Sequence, residues 1–567
     1  MKLIQALLIV VVSIIYGLPN LILLERLGSS YTPFTLSATS PIARDEAFAY
    51  GPETNYVLSE KSFLKEIYTK EYRDLPTPFI GETASAIMLA VLAFISGSVE
   101  NAFIISDFIF PPIVFLGFFY FTKIFVKNKL WAMAAALTAV ISRDFVAVVP
   151  YPLETFKYLT TQEGQNYLLY LSRAFHPQTS LIFFSGAVIA MARIVNNPQK
   201  ITNALLLGIL FGVLFYTYVF NWTLFLVFFL FVFLYFLSKK EYQIVKSLII
   251  AGAVALFISS FYLFKMYQFY QLSFIDDFIT KTSLYNVPIP LTLIRYLLLS
   301  LAFFVFFKKK DKNFYLLLIL LLSGVAITPF SKLLVGQDLE TFHYLRRIVM
   351  PFATLTLFII FHEILKRSKP AADVLAIFTI TIFLIYGYRV QIIGANKIAA
   401  SHIKNQDMEN VFKWLNRNVP KYSVLGSLSP EFSSLIPLYT RNYVYFPPTD
   451  RTIMPTYEGV EKYKILSELL GVTNEWQEQK LKDSVSYFFV FQSYNQNRNL
   501  DPNSPRRLMA QKQIELLEKN ERWKEKLSNY KLDYIVITPS EIEHVKPNTS
   551  YLQFITSMNG YLIFASK

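Results

Sequence analysis

A succession of apolar blocks, each about the length needed to cross a lipid bilayer, limits this chain to very few folds. The first block runs from Leu3 to Leu24 behind a lone Lys2. Others follow near 82–98, 101–122, 130–149, 178–194, 201–216, 221–237, 246–264, 290–307, 313–328, 347–365 and 371–390. A segment with no water to satisfy its backbone must satisfy it internally, so each block is expected to be a helix. The first lacks a small-residue cleavage site and reads as an uncleaved span rather than a signal peptide. Only 17% of the 567 residues are charged and 54% are hydrophobic. That balance suits a polytopic membrane protein and would be anomalous in a soluble chain of this length.

The links between blocks sort by charge. Lys123, Lys127 and Lys129 form one basic link, and Arg193 with Lys200 a second. Lys239-Lys240, Lys308 to Lys310, and Lys366, Arg367 and Lys369 form three more. Cytoplasmic links carry such an excess of Lys and Arg. The N-terminus is then cytoplasmic, and segments 25–81, 142–177, 265–289, 329–346 and everything after 390 lie on the other side of a cell membrane. This parity is kept if 82–98 is a re-entrant or surface helix rather than a full crossing. About 11–13 spans are expected in all. The net charge of +14 belongs to this topology and not to nucleic-acid binding, since no basic stripe lies on a soluble fold. With no cysteine, disulfides and thiolate metal sites are ruled out.

Past about residue 395 the pattern changes to short alternating helical and strand periods. Helices are expected at 407–418, 430–439, 457–471 and 505–529, and strands at 422–425, 443–446, 487–491, 534–538 and 561–565. Alternation of this kind predicts a soluble α/β domain over 395–567 with a largely parallel sheet, beside a helical membrane domain over 1–394 that carries the large loop 25–81. No glycine-rich phosphate loop accompanies the strands.

Three loops hold residues able to do chemistry. The first contains Arg44-Asp45-Glu46, and neighbouring carboxylates there suit a general base for a hydroxyl proton. Tyr50, Tyr56, Phe63, Tyr68 and Tyr72 add rings on which a sugar can stack, and Pro76-Thr77-Pro78 closes the loop before the next apolar block. The second loop has Arg143-Asp144 at one end and Arg173 with His176-Pro177 at the other. The third is His343-Tyr344-Leu345-Arg346-Arg347, where two arginines sit on the side that the charge rule disfavours. Guanidinium groups bind phosphoryl oxygens with two parallel hydrogen bonds, which suits a polyprenyl phosphate. Each set also has a plainer reading, as a solvated turn or as side chains anchored at the interface. Tyr216, Tyr218 and Asn221-Trp222 read as an interfacial turn with no chemistry of its own.

The order of a short N-terminus, one span, an outside loop with Asp45-Glu46-Ala47-Phe48, and the element Pro76 to Gly81 resembles the GT-C superfamily of membrane glycosyltransferases. That superfamily includes protein O-mannosyltransferases, aminoarabinose transferases and oligosaccharyltransferases. The resemblance implies a catalytic acid at Asp45 with Glu46 beside it, and basic residues late in the helical region near a donor phosphate. It implies an inverting transfer of sugar from a polyprenyl-phosphate donor to a protein, lipid or polysaccharide acceptor. Two departures stand out: Ala47 and Phe48 follow the acidic pair where the mannosyltransferases have a nearby His, and the double proline is opened by Thr77. No organic cofactor is implied, and no His/Asp spacing demands a divalent metal. A flippase for lipid-linked glycans and a non-catalytic scaffold or sensor are the rival readings. The first of these predicts charged residues within the spans, for which Asp107 and Lys265 are the clearest candidates.

Overall fold

The computed structural model describes residues 2–35, 45–142, 145, 168–282, 292–335, 343–447, 451–473, 475–476 and 523–567. These fall into two compact units. One comprises Met1–Pro33, Ala84–Leu263 and Asn286–His402, and the other Phe34–Thr83, Phe264–Tyr285 and Ile403–Lys567. The first-loop segment therefore clusters with the C-terminal residues rather than with the spans that flank it in sequence.

Among the described residues, eight helical stretches are long and apolar enough to cross a membrane. Four shorter apolar helices accompany them, at Lys129–Ile141, Ile201–Leu214, Leu293–Phe306 and Lys312–Ile327. The chain is thus a polytopic helical membrane protein. The block near 82–98 joins a 3-10 turn at Pro78–Glu82 in a 19-residue apolar helical stretch, Pro78–Ser96, which is long enough to cross a membrane by length and composition. Large apolar side chains stand fully outward on these helices, Phe94 at 80% exposure and Phe257 at 82%. Water would penalise such a surface, whereas lipid does not.

Inside the first unit, buried polar tips find backbone partners. Tyr16 donates to the Val140 carbonyl at 2.7 Å and the Trp131 indole N–H to the Phe358 carbonyl at 2.8 Å. The helices Ile201–Leu214 and Tyr242–Tyr270 approach closely at Gly208 and Gly212. A Cβ on Gly208 would lie 2.7 Å from the Ala251 carbonyl oxygen, and one on Gly212 would lie 2.6 Å from the Ile258 Cβ. The four-residue spacing of the two glycines puts both on one face, which is how small residues let membrane helices touch along their backbones.

The second unit is built on a five-stranded sheet in the order β2-β1-β3-β5-β4. Its strands are β1 (Val424–Gly426), β2 (Tyr443–Val444), β3 (Tyr534–Ile537), β4 (Leu552–Met558) and β5 (Tyr561–Ser566). Alternate residues serve opposite faces. Val424, Ile535, Ile537 and Phe564 pack with Tyr463, Leu466 and Leu469 of the helix Thr456–Leu469. Leu425, Val536 and Ile563 pack with Val411, Leu415, Phe432 and Ile436 of the helices Gln406–Asn418 and Pro430–Tyr439. Helices on both faces fit the expected α/β class. The expected parallel pairing holds only for β2-β1-β3, since β3-β5-β4 is antiparallel. Asn559-Gly560, with φ values of 50° and 79°, makes the two-residue turn that joins β4 to β5 and sets that pair antiparallel. The expected strand at 487–491 lies outside the described residues, as does most of the helix at 505–529, of which Trp523–Leu527 is described.

Candidate functional site

In the first unit, three basic side chains from two distant segments meet on one tyrosine. Tyr218 precedes the helix Val219–Ser238, and its hydroxyl lies 2.7 Å from His343 Nδ1. Arg347 donates to the same hydroxyl through Nη1 at 2.9 Å. The ring of His176, fully buried, stacks on the Tyr218 ring at 4.0 Å and 27°. The backbone around this cluster is pinned from two sides. Asn221 Nδ2 donates to the Ser180 carbonyl at 3.0 Å, and Ala84 N donates to the Tyr216 carbonyl at 2.7 Å. Phe220 closes one flank, with its ring edge-on to His343 at 4.7 Å and to Tyr344 at 4.9 Å. Tyr344 is fully buried and shares a 2.8 Å hydrogen bond with Thr223.

A guanidinium and one imidazole at the hydroxyl, with a second imidazole on the ring face, bring basic groups together in a mostly apolar surround. Charge-assisted bonds from such groups to an anion are strong there. Of the basic residues selected from sequence, His176, His343 and Arg347 meet here. Arg346 is exposed, and Arg173 is half-buried at the start of the turn Ala174–Thr179. Arg143 and Asp144 lie outside the described residues. Tyr218, set aside in the sequence as an interfacial turn, is the residue on which the others converge. Its sequence signal was only a polar-aromatic break between two apolar blocks.

A second assembly lies in the second unit. Asp45 starts a π-helical turn, Glu46–Tyr50, which runs straight into the helix Gly51–Glu60. Asp45 is half-buried, while Glu46 and Tyr50 are buried. The Tyr68 hydroxyl donates to the Phe48 carbonyl in the middle of this turn. Arg451 lays its guanidinium over the rings of Phe48 at 5.5 Å and Tyr50 at 5.4 Å. One turn further along, Glu53 is buried with Glu82 and Arg451 as its charged neighbours. Sequence reasoning missed Glu53 and Arg451, since each stands alone in its segment.

Wide π turns occur among the described residues at Glu46–Tyr50 and Tyr344–Val349, and a kinked helical segment at Ala174–Thr179. Each falls in one of the three loops chosen from sequence for its chemistry. An extra residue in a helical turn costs packing, and such turns are frequent at functional sites because they re-aim side chains. In Ala174–Thr179 the regular pattern is broken at His176, whose extended backbone suits a residue before proline.

Comparison with known proteins adds the following. No protein-family model matches the chain, and no curated protein matches it in sequence. Several solved structures are similar to it. One is ArnT from Cupriavidus metallidurans bound to undecaprenyl phosphate, at 10% identity over 97% of both chains and a TM-score of 0.48. Another is the Archaeoglobus fulgidus oligosaccharyltransferase in its apo form, at 11% identity over 94% of this chain and 69% of that one, with a TM-score of 0.45. A third is the AglB oligosaccharyltransferase of the same organism with an inhibitory peptide and a dolichol-phosphate, at 11% identity over 93% and 69% and a TM-score of 0.42. At these scores no residue role passes from one chain to another.

Asp107, the clearest charged residue within a span, is bonded on both oxygens. Asn20 Nδ2 donates at 2.9 Å and Gln178 Nε2 at 2.6 Å, and Asn20 in turn accepts from the Tyr31 hydroxyl at 2.5 Å. This network ties three helical segments together.

Glu53 yields a pH prediction. Burial raises its carboxyl well above the usual range, repulsion from Glu82 adds to the rise, and Arg451 opposes it. A proton held more tightly in the folded state stabilises the fold below the unfolded pKa, and that contribution is lost as pH rises through the folded one. Glu53→Gln mimics the protonated form. It is expected to raise the thermal midpoint by a few degrees near about pH 8 and to leave it unchanged near about pH 4. Unfolding scans of wild type and variant across pH test this, and parallel curves at every pH would refute it.

Proposed function

We propose that this protein is a glycosyltransferase, moving a sugar from a polyprenyl-phosphate donor to an acceptor on the outer face of the cell membrane. The observation that carries this reading is the meeting of His176, His343 and Arg347 on Tyr218 at the ends of apolar helices. A polyprenyl tail belongs in the lipid beside those helices, and its phosphate needs a cationic seat at their ends. Arg347 and His343 are assigned to the departing phosphate, with His176 beside them, and Arg346 and Arg173 are assigned to the same donor. The first-loop resemblance to GT-C enzymes implies this class of donor.

In the proposed reaction the Asp45 carboxylate takes the proton of the acceptor hydroxyl. The freed oxygen attacks the anomeric carbon, and the bond from that carbon to the phosphate oxygen breaks. Its electron pair leaves with the lipid phosphate, whose growing charge the Arg347 guanidinium offsets, and the anomeric configuration inverts. Glu46 keeps negative potential beside the base. Tyr50 holds the turn under Arg451, and Arg143 and Asp144 complete the substrate loop. The basic links favour an N-terminus in the cytoplasm and C-terminal residues outside. A flippase reading is less favoured, because Asp107 is bonded within a structural network rather than presented to a path.

The decisive measurement is sugar transfer from a radiolabelled polyprenyl-phosphate donor by purified protein, wild type against Asp45→Asn. Loss of the base is expected to slow transfer by about a hundredfold to ten-thousandfold, with donor binding retained. Full activity in the variant would remove Asp45 from the chemistry, and no transfer by wild type to any acceptor class would remove the transferase.

A further inference from the structure

The second unit contains a shallow open groove that the proposed reaction does not use. Three tyrosines from separate segments line it, Tyr56, Tyr422 and Tyr443, with Asn55, Glu60 and Arg441 between them. The rings of Tyr422 and Tyr443 lie 6.4 Å apart at 38°, as two walls rather than a stacked pair.

Tyr422 is the unusual member. Its φ of 65° is left-handed, a conformation that suits Gly or Asn and strains a bulky side chain. The surrounding structure holds it there at three points. Its N–H donates to the Arg441 carbonyl at 2.9 Å, its carbonyl accepts from Lys70 Nζ at 2.8 Å, and its hydroxyl donates to Glu60 at 2.8 Å. The turn itself would be better served by asparagine, so what tyrosine adds is a ring, and that ring is 37% exposed at the groove. Strain over-determined by its surroundings is a mark of a functional position.

The chemistry of the groove differs from that of the phosphate cluster. Ring faces stack on apolar C–H surfaces, and the Arg441 guanidinium and the Glu60 carboxylate, which already accepts from the Tyr422 hydroxyl, stand at the edges. Glu60 and Arg441 balance in charge, so nothing selects an anion. A pyranose has this combination, an apolar face edged by hydroxyls. We propose that the groove binds a neutral saccharide, as a glycan-holding site separate from the transfer chemistry and independent of the transferase reading.

The test uses the full chain in a detergent without a sugar headgroup. Saturation-transfer NMR would be run with maltotetraose, mannotetraose and chitotetraose, and with a proline-rich decapeptide as the contrasting probe. At least one oligosaccharide is expected to bind wild type. Tyr422→Asn relieves the strained turn and removes the ring, so it is expected to keep or raise the thermal midpoint while weakening binding by about tenfold or more. Tyr56→Ala is expected to weaken it similarly, and Asp45→Asn to leave it unchanged even where transfer is lost. Oligosaccharide binding that survives both tyrosine variants would overturn the proposal, as would capture of the peptide alone or binding of no probe.

Discussion

Glu66→Ala is expected to destabilise the second unit by on the order of 3 kcal/mol or more, the largest stability effect of any single substitution considered. Glu66 is fully buried and accepts three backbone N–H bonds. Oε1 takes those of Tyr68 at 3.0 Å and Thr69 at 3.2 Å, and Oε2 takes that of Ile453 at 2.9 Å. Truncation removes the acceptor and leaves three donors without it in a dry interior, and the cost of unmet buried donors exceeds the net worth of the bonds. The damage reaches the proposed base. Tyr68 supports the π turn after Asp45 through the Phe48 carbonyl, and the segment leading to Ile453 carries Arg451, which covers Phe48 and Tyr50. Hydrogen exchange at the Tyr68, Thr69 and Ile453 amides is the direct readout. Faster exchange at all three, with a lowered unfolding midpoint, is the expected result. Protection equal to wild type would show that the carboxylate is not what holds these segments.

Arg347→Ala is expected to lower kcat/KM for transfer by about a hundredfold to a thousandfold. Charge builds on the phosphate as the glycosidic bond breaks, so the guanidinium should act more strongly in the transition state than on bound donor. The prediction is therefore asymmetric, with kcat falling further than KM rises. Arg347→Lys keeps the charge but not the fork, and should recover only part of the loss. Tyr218→Phe should lower activity less, since it removes the hydroxyl shared by Arg347 and His343 and keeps the ring against His176. A rise in KM alone would reduce Arg347 to a ground-state contact, and unchanged kinetics in Arg347→Ala would make it an interfacial anchor.

The helical architecture was legible because lipid imposes one requirement, an apolar helix of fixed length, that leaves a mark on every span. The loops around Asp45, His176 and Arg347 could be picked out by residue type, since arginine and acid at a membrane boundary are conspicuous. Tyr218 could not, because its importance comes from meeting His343 across 125 residues, a contact with no local signature. Arg451 and Glu53 escaped for the same reason, each solitary in its own segment. The antiparallel end of the sheet is another matter. Asn559-Gly560 between Met558 and Tyr561 is a strong hairpin signal in the sequence, and it outweighs the α/β alternation that led to a parallel expectation.

The sewing of the first loop into the C-terminal unit also has a consequence in time. Glu66 and Ile453 are 387 residues apart, so the loop leaves the ribosome long before its hydrogen-bonding partner exists. At about 5–20 residues per second that interval is roughly 20–80 s. Throughout it, the segment bearing Asp45 has neither Arg451 nor the later strands to hold it. The nascent chain would therefore carry its membrane helices before it has a finished acid site, and a chaperone or the lipid surface must shelter Tyr50, Tyr68 and Tyr72 until the last strands arrive.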